Sequence, residues 1–274
     1  MNYIQYLSTT TQSLIVICVF AGASIGGLFL VRSFISPQRL REDHDVAGFT
    51  FGVVGAFYGV ILAFVIVAVW QRFELATETA QHESLSIANL YNLSQGFSDP
   101  ERTDMQNALR AYAAHVLDRE WGQMQKSNFQ QSMAPEQRLW RILLHYPPVT
   151  PEQQTILDKS IDQMGDLSDA RQLRYMYYSE DLPSVVWIVI YVGCFITLGF
   201  GYFFGPIHLK SQALMVGTFA ALIGLTILAI SELAGPYQGA VVVSNDPFRF
   251  VLSSMNAGTT PPPPQPPGVP LSMR

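Results

Sequence analysis

Polar and apolar positions are unevenly distributed along this chain. Four stretches, 13–31, 52–70, 184–204 and 213–230, contain no Asp, Glu, Lys, Arg or His. A helix rises 1.5 Å per residue, so about 20 apolar residues cross the hydrocarbon core of a bilayer. A soluble core helix of that length would carry a polar stripe, and these stretches carry none. Trp70, Trp187, Tyr202 and Tyr237 fall near their ends, where aromatic rings favour the membrane interface. The pattern predicts an all-α membrane protein with four transmembrane helices in two pairs and a helical soluble domain inserted between the second and third.

The boundaries follow from where the pattern changes. Residues 1–70 form the first transmembrane pair, 71–183 the soluble domain, 184–233 the second pair, 234–255 a juxtamembrane segment and 256–274 a Pro-rich tail read as disordered or polyproline II. The soluble domain holds 16 acidic and 10 basic residues, a net of −6. No Gly or Pro interrupts 71–95, so one long rod is expected to continue the second span. Ser98-Asp99-Pro100-Glu101 has the form of a capping box and predicts a helix to about Lys126. A short helix is predicted over 135–145. Another runs from Thr150, a capping residue followed by Pro151 and Gln153, to about Glu180. After the fourth span come a turn at Gly235-Pro236-Tyr237-Gln238-Gly239, a β-prone run over 240–243, and a short amphipathic helix over 246–255.

Small residues recur on the spans at helical spacing. Gly52, Gly55, Ala56, Gly59 and Ala63 share one face of the second, opposite Phe57, Ile61 and Phe64; the fourth carries Gly217 and Gly224. Small residues let backbones approach closely in lipid, where no hydrophobic effect drives association. Two readings are open: packing within one bundle, or a second span lining a pore in an oligomer. In the soluble domain, Glu83, Glu120 and Arg171 lie on otherwise apolar stripes. Unpaired burial costs several kcal/mol, so Arg171 is expected to pair with Glu83 or Glu120. A ligand or ion site at the same three residues is the alternative.

Chemistry narrows the function further. Net charge is −5 over 274 residues, which leaves no basic footprint for nucleic acid. Cys18 and Cys194 both lie in apolar runs, and no Cys/His spacing suits zinc. No Glu-x-x-His pair, phosphate loop or nucleophile elbow is present, so neither a metal, a cofactor nor an enzymatic activity is expected. Spans without ionisable side chains argue against a proton relay. Arg32, Arg39, Arg41 and Lys210 lie in the two short loops, while the segment before the first span carries no Lys or Arg. The positive-inside rule then places those loops in the cytoplasm and the acidic domain on the extracytoplasmic side of a bacterial plasma membrane.

Five motifs in order carry a resemblance. They are Phe57-Tyr58-Gly59-Val60-Ile61-Leu62-Ala63-Phe64 with Val69-Trp70; Ala111-Tyr112-Ala113 with Glu120-Trp121 and Met124; Ala170-Arg171 with Arg174, Leu182-Pro183 and Trp187; Tyr202-Phe203-Phe204-Gly205; and Pro236-Tyr237-Gln238-Gly239. Over about residues 47–252 the chain resembles the bacterial bestrophin-like membrane proteins. The resemblance implies a homo-oligomer, a pentamer in bestrophins proper, conducting chloride or another small anion through an apolar neck on the second span. Phe57, Ile61 and Phe64 are the counterpart by position and chemistry. No acidic calcium clasp is seen, and the resemblance implies a cytoplasmic bulk, opposite to the charge rule. The competing function is a membrane scaffold or sensor whose soluble bundle binds a partner without transport.

Overall fold

A computed structural model of the chain describes residues 8–34, 44–121, 133–179, 182–203 and 209–258. These are helical, with no strand among the described residues. The helices are α1 (Thr9–Phe34), α2 (His44–Ser94), α3 (Glu101–His115), α4 (Ala134–His145), α5 (Pro151–Ser179), α6 (Ser184–Tyr202), α7 (Leu209–Ala234) and α8 (Asp246–Asn256), with a π-helical turn at Val116–Glu120 following α3. Each of α1, α2, α6 and α7 contains a stretch long and apolar enough to cross a membrane. The expected tail from 259 onward, Arg39, Arg41, Met124 and Phe204-Gly205 lie outside the described residues.

The chain divides into two compact units. The first comprises Met1–Phe73 and Asp181–Val242, the second Glu74–Glu180 and Val243–Arg274. In the first unit α1 packs along α7, with α6 against both. The first span therefore neighbours the fourth, although consecutive helices are usually adjacent. Glycine makes this approach possible: a Cβ on Gly224 would lie 2.6 Å from Phe20 Cγ, and one on Gly217 3.2 Å from Ile25 Cδ1. The α2–α6 contact is built differently. The Tyr58 ring fills the space over Gly193, where a Cβ would overlap it, and Tyr58 Oη–H donates to the Ile190 carbonyl at 2.7 Å. Leu62, Val69, Ile190, Ile223, Ile227 and Ile230 complete this core.

In the second unit, the stripes read from periodicity become the core. Ala76, Ala80, Ile87 and Leu90 of α2 are buried, as are Met105, Leu109 and Tyr112 of α3, Val116 of the π turn, and Met164 of α5. The amphipathic α8 docks Phe248 on Trp121, ring centroids 5.4 Å apart, and its Met255 carbonyl accepts from Arg110 Nε and Nη2 at 3.2 and 3.0 Å.

Three local expectations come out differently. The capping box does not close: Pro100 occupies the cap position with no side-chain bond, Asp99 accepts from Arg102 and Thr103 instead, and the Ser98 N–H donates to Tyr146 Oη. The helix opened there does not continue as α-helix past His115. It widens so that the Trp121 N–H reaches the Val116 carbonyl at 2.8 Å. The β-prone run after the fourth span forms no strand. Its Ala240 and Val241 N–H groups donate to Glu232 Oε2 at 2.8 and 3.2 Å, which satisfies the backbone without a pairing strand.

Candidate functional site

Two places draw the candidate residues together, one in each unit. The first is the surface of α2. Its Tyr58, Leu62 and Val69 face the rest of the first unit, and the opposite half of the helix is bare. Phe57 is 71% exposed and Phe64 72%, with Val53, Val60 and Val67 beside them, while Ile61 sits at the edge of this face, half-buried. Gly52, Ala56, Gly59 and Ala63 are exposed on the same half, so the small and bulky residues that the sequence pattern set opposite each other both lie away from the bundle, which Tyr58, Leu62 and Val69 face. No described atom comes within 4 Å of a Cβ placed on Gly52 or Gly59, and Gly55 approaches Phe219 at 3.9 Å. Gly217 and Gly224 thus pack inside the single chain, whereas most of the small residues of α2 do not. The bare half is apolar and uncharged, so it can meet lipid, another copy, or a pore, but it offers no group for proton or metal chemistry.

The second place is a buried charge cluster. Glu83 comes from α2, Glu120 from the π turn, and Arg171 and Arg174 from α5; all four are essentially inaccessible to solvent. Arg174 Nε donates to Glu83 Oε2 at 2.6 Å, and its Nη2 donates to Glu83 Oε1 at 3.0 Å and Glu120 Oε2 at 2.7 Å. Arg171 Nη2 donates to Glu120 Oε1 at 2.6 Å, and its Nε lies 3.7 Å from Glu136 of α4. The Tyr112 hydroxyl donates to Glu83 Oε1 at 2.7 Å. His115 Nε2 stands 3.6 Å from Glu120 Oε1 at the rim. The guanidinium groups also lie over aromatic faces, Arg171 over Tyr112 and Arg174 over Tyr175 and Trp121. Two carboxylates thereby meet two guanidinium groups, with a fork held at both oxygens of Glu83. Burial, followed by the Glu83 carboxylate, pushes the Tyr112 phenol well above its usual value of 10.0.

Periodicity placed Arg171 among the apolar positions of α5 and named Glu83 or Glu120 as its partner. The structure puts Arg171 on Glu120 and gives Glu83 to Arg174, a residue the stripe argument passed over. A signal was present: Arg174 follows Leu167 by seven residues and Ala170 by four, both buried. Glu232 was missed as well, because it lies just beyond the apolar stretch of the fourth span. It is the acceptor that holds the turn at Gly239, where φ is +98° and a side chain would meet the Glu232 carboxylate at 2.9 Å. Among the described residues no group of three His, Cys, Asp or Glu side chains is arranged to hold a metal ion.

Apolar helices long enough to span, joined to an all-helical unit, define a multipass all-α membrane protein. Residues 18–248 match the bestrophin-like domain, and the chain belongs to the bestrophin-like family. Among solved structures it is similar to a single-substitution variant of a bacterial bestrophin homologue from Klebsiella pneumoniae. That match has a TM-score of 0.58 at 13% identity and covers 89% of this chain and 99% of that one. A second variant of the Klebsiella pneumoniae bestrophin homologue matches with a TM-score of 0.52 at 15% identity, covering 90% and 97%. A variant described as a membrane protein matches with a TM-score of 0.53 at 14% identity, covering 92% and 97%. At these identities the likeness is one of fold. No curated protein sequence matches the chain significantly.

Proposed function

We propose that copies of this chain assemble into a channel-like pore for small anions, with α2 nearest the symmetry axis and Phe57, Ile61 and Phe64 as its apolar neck. The observation that carries the reading is the half of α2 left bare by its own bundle, where Phe57 and Phe64 project outward. The small residues beside them let neighbouring backbones approach closely. An uncharged neck of this kind gates by dewetting, without a ring of ionised side chains. Membership of the bestrophin-like family supports an anion as the permeant species, chloride first among those to test, and five copies as the assembly. In this reading 1–70 and 184–233 form two transmembrane pairs, 71–183 is a helical domain outside the lipid, and the protein resides in a bacterial plasma membrane.

Chloride efflux from liposomes containing the purified protein tests the proposal. Wild type is expected to conduct, and Ile61→Ser to conduct more, because a hydroxyl hydrates the neck. Native mass spectrometry is expected to show one closed oligomer. A monomer alone, or silence from both proteins at normal incorporation, overturns the pore and leaves the scaffold reading, in which the helical domain docks a partner.

A further inference from the structure

We propose that the first unit binds one phospholipid with an anionic headgroup, its phosphate at Arg32 and one acyl chain in a groove along α7. The groove has a volume of about 750 Å³ and is walled by Phe51 of α2, Leu198 of α6, and Met215, Val216, Phe219 and Leu222 of α7. It opens on the outer surface of the unit, where Leu214, Met215 and Leu222 are exposed. From Gln212 to Leu222 the helix rises about 15 Å. That is half of a hydrocarbon core about 30 Å thick, the depth of one leaflet.

The two ends of the groove differ in chemistry. The far end is apolar. At the near end Gln212 is buried, its amide oxygen accepting from Arg32 Nη2 and its amide nitrogen reaching the Gly201 and Tyr202 carbonyls at 3.4 and 3.3 Å. Arg32 stands in the last turn of α1, and its Nε is buried with no hydrogen-bond partner among the described residues. Lys210, in the first turn of α7, is exposed two residues before Gln212. A half-buried guanidinium held by Gln212 at the end of the groove, an exposed ammonium in the first turn of the same helix as Gln212 and an apolar slot one leaflet deep match the phosphate and acyl chain of a phospholipid. Basic pockets between transmembrane helices take anionic headgroups in this way.

Native mass spectrometry of the full-length protein, released from mixed micelles containing phosphatidylglycerol and phosphatidylcholine, reads the site directly. Wild type is expected to retain one phosphatidylglycerol per chain, favoured over phosphatidylcholine by on the order of fivefold for each cation engaged. Arg32→Gln should lose that preference. Thr218→Trp, at an exposed groove position, should fill the slot and lower retention of both lipids; it carries the test alone where Arg32→Gln does not fold. Equal retention of the two lipids by wild type overturns the proposal. So does a Thr218→Trp protein that keeps its phosphatidylglycerol. A Thr218→Trp protein that loses its oligomeric state with lipid retention unchanged overturns it in favour of a second copy as occupant.

Discussion

Arg174 holds both oxygens of Glu83 and one of Glu120, so its removal leaves two buried carboxylates short of donors. Breaking a buried pair from one side costs about 3–5 kcal/mol. Arg174→Met is therefore expected to lower the melting temperature steeply, and Arg171→Met, which strips one oxygen of Glu120, to lower it less. Arg102→Met removes an exposed pair with Asp99 and should change it little. Melting curves of the three variants in detergent check the order, and equal curves would show a cluster open to water. Tyr112 adds a pH dependence. Its folded pKa is raised, so its contribution is complete below 10.0 and is lost as pH rises beyond that, because the unfolded chain then releases a proton that the folded protein keeps. Wild-type stability should fall above about pH 10, and Tyr112→Phe should remove part of that fall. A fall of the same size in both proteins would separate it from Tyr112.

Among the elements, α2 and α7 carry glycines at similar spacing and put them to different uses. On α7, Gly224 and Gly217 face Phe20 and Ile25 of α1 closely enough that a methyl group must displace a side chain. On α2, Gly59 faces open space. Gly224→Ala is accordingly expected to lower stability by about 1–3 kcal/mol through overpacking. Gly59→Leu should leave the fold of the single chain intact and alter the mass of the oligomer. Thermal unfolding and native mass spectrometry of both variants check this; an unchanged oligomer in Gly59→Leu would count against α2 as the axial helix. Both faces look alike as patterns, since spacing names a face without naming what covers it. Element ends were less legible than element interiors for a related reason. Asp99 had Arg102 and Thr103 within reach, and Ser98 had Tyr146, so neither side chain served the helix start that their order suggested.

For the whole molecule, the side on which residues 71–183 lie rests on charge. Arg32 and Lys210 flank the short-loop ends of α1 and α7, and the segment before α1 carries no Lys or Arg. The positive-inside rule predicts that those loops face the cytoplasm, and on that prediction a reporter fused after Gly268 should give active alkaline phosphatase and dark green fluorescent protein. The reverse pattern would place the domain in the cytoplasm, as the bestrophin resemblance implies. That the chain has four helices long and apolar enough to cross a membrane could be read without a structure. A bilayer interior offers no water to an unpaired backbone, so a stretch of about 20 uncharged residues is bound to be helical there whatever surrounds it. The burial of Glu83, Glu120 and Arg171 could be read from periodicity in the same way, since a charge on an apolar stripe goes wherever the stripe goes. Which groups meet was decided by the tertiary structure. Arg174 on Glu83, Glu232 under the turn at Gly239, and Arg32 on Gln212 each join residues from separate helices or from a helix and the turn after it. Such pairings depend on how helices cross and how turns fold back, and a helical repeat read along one segment carries no record of either.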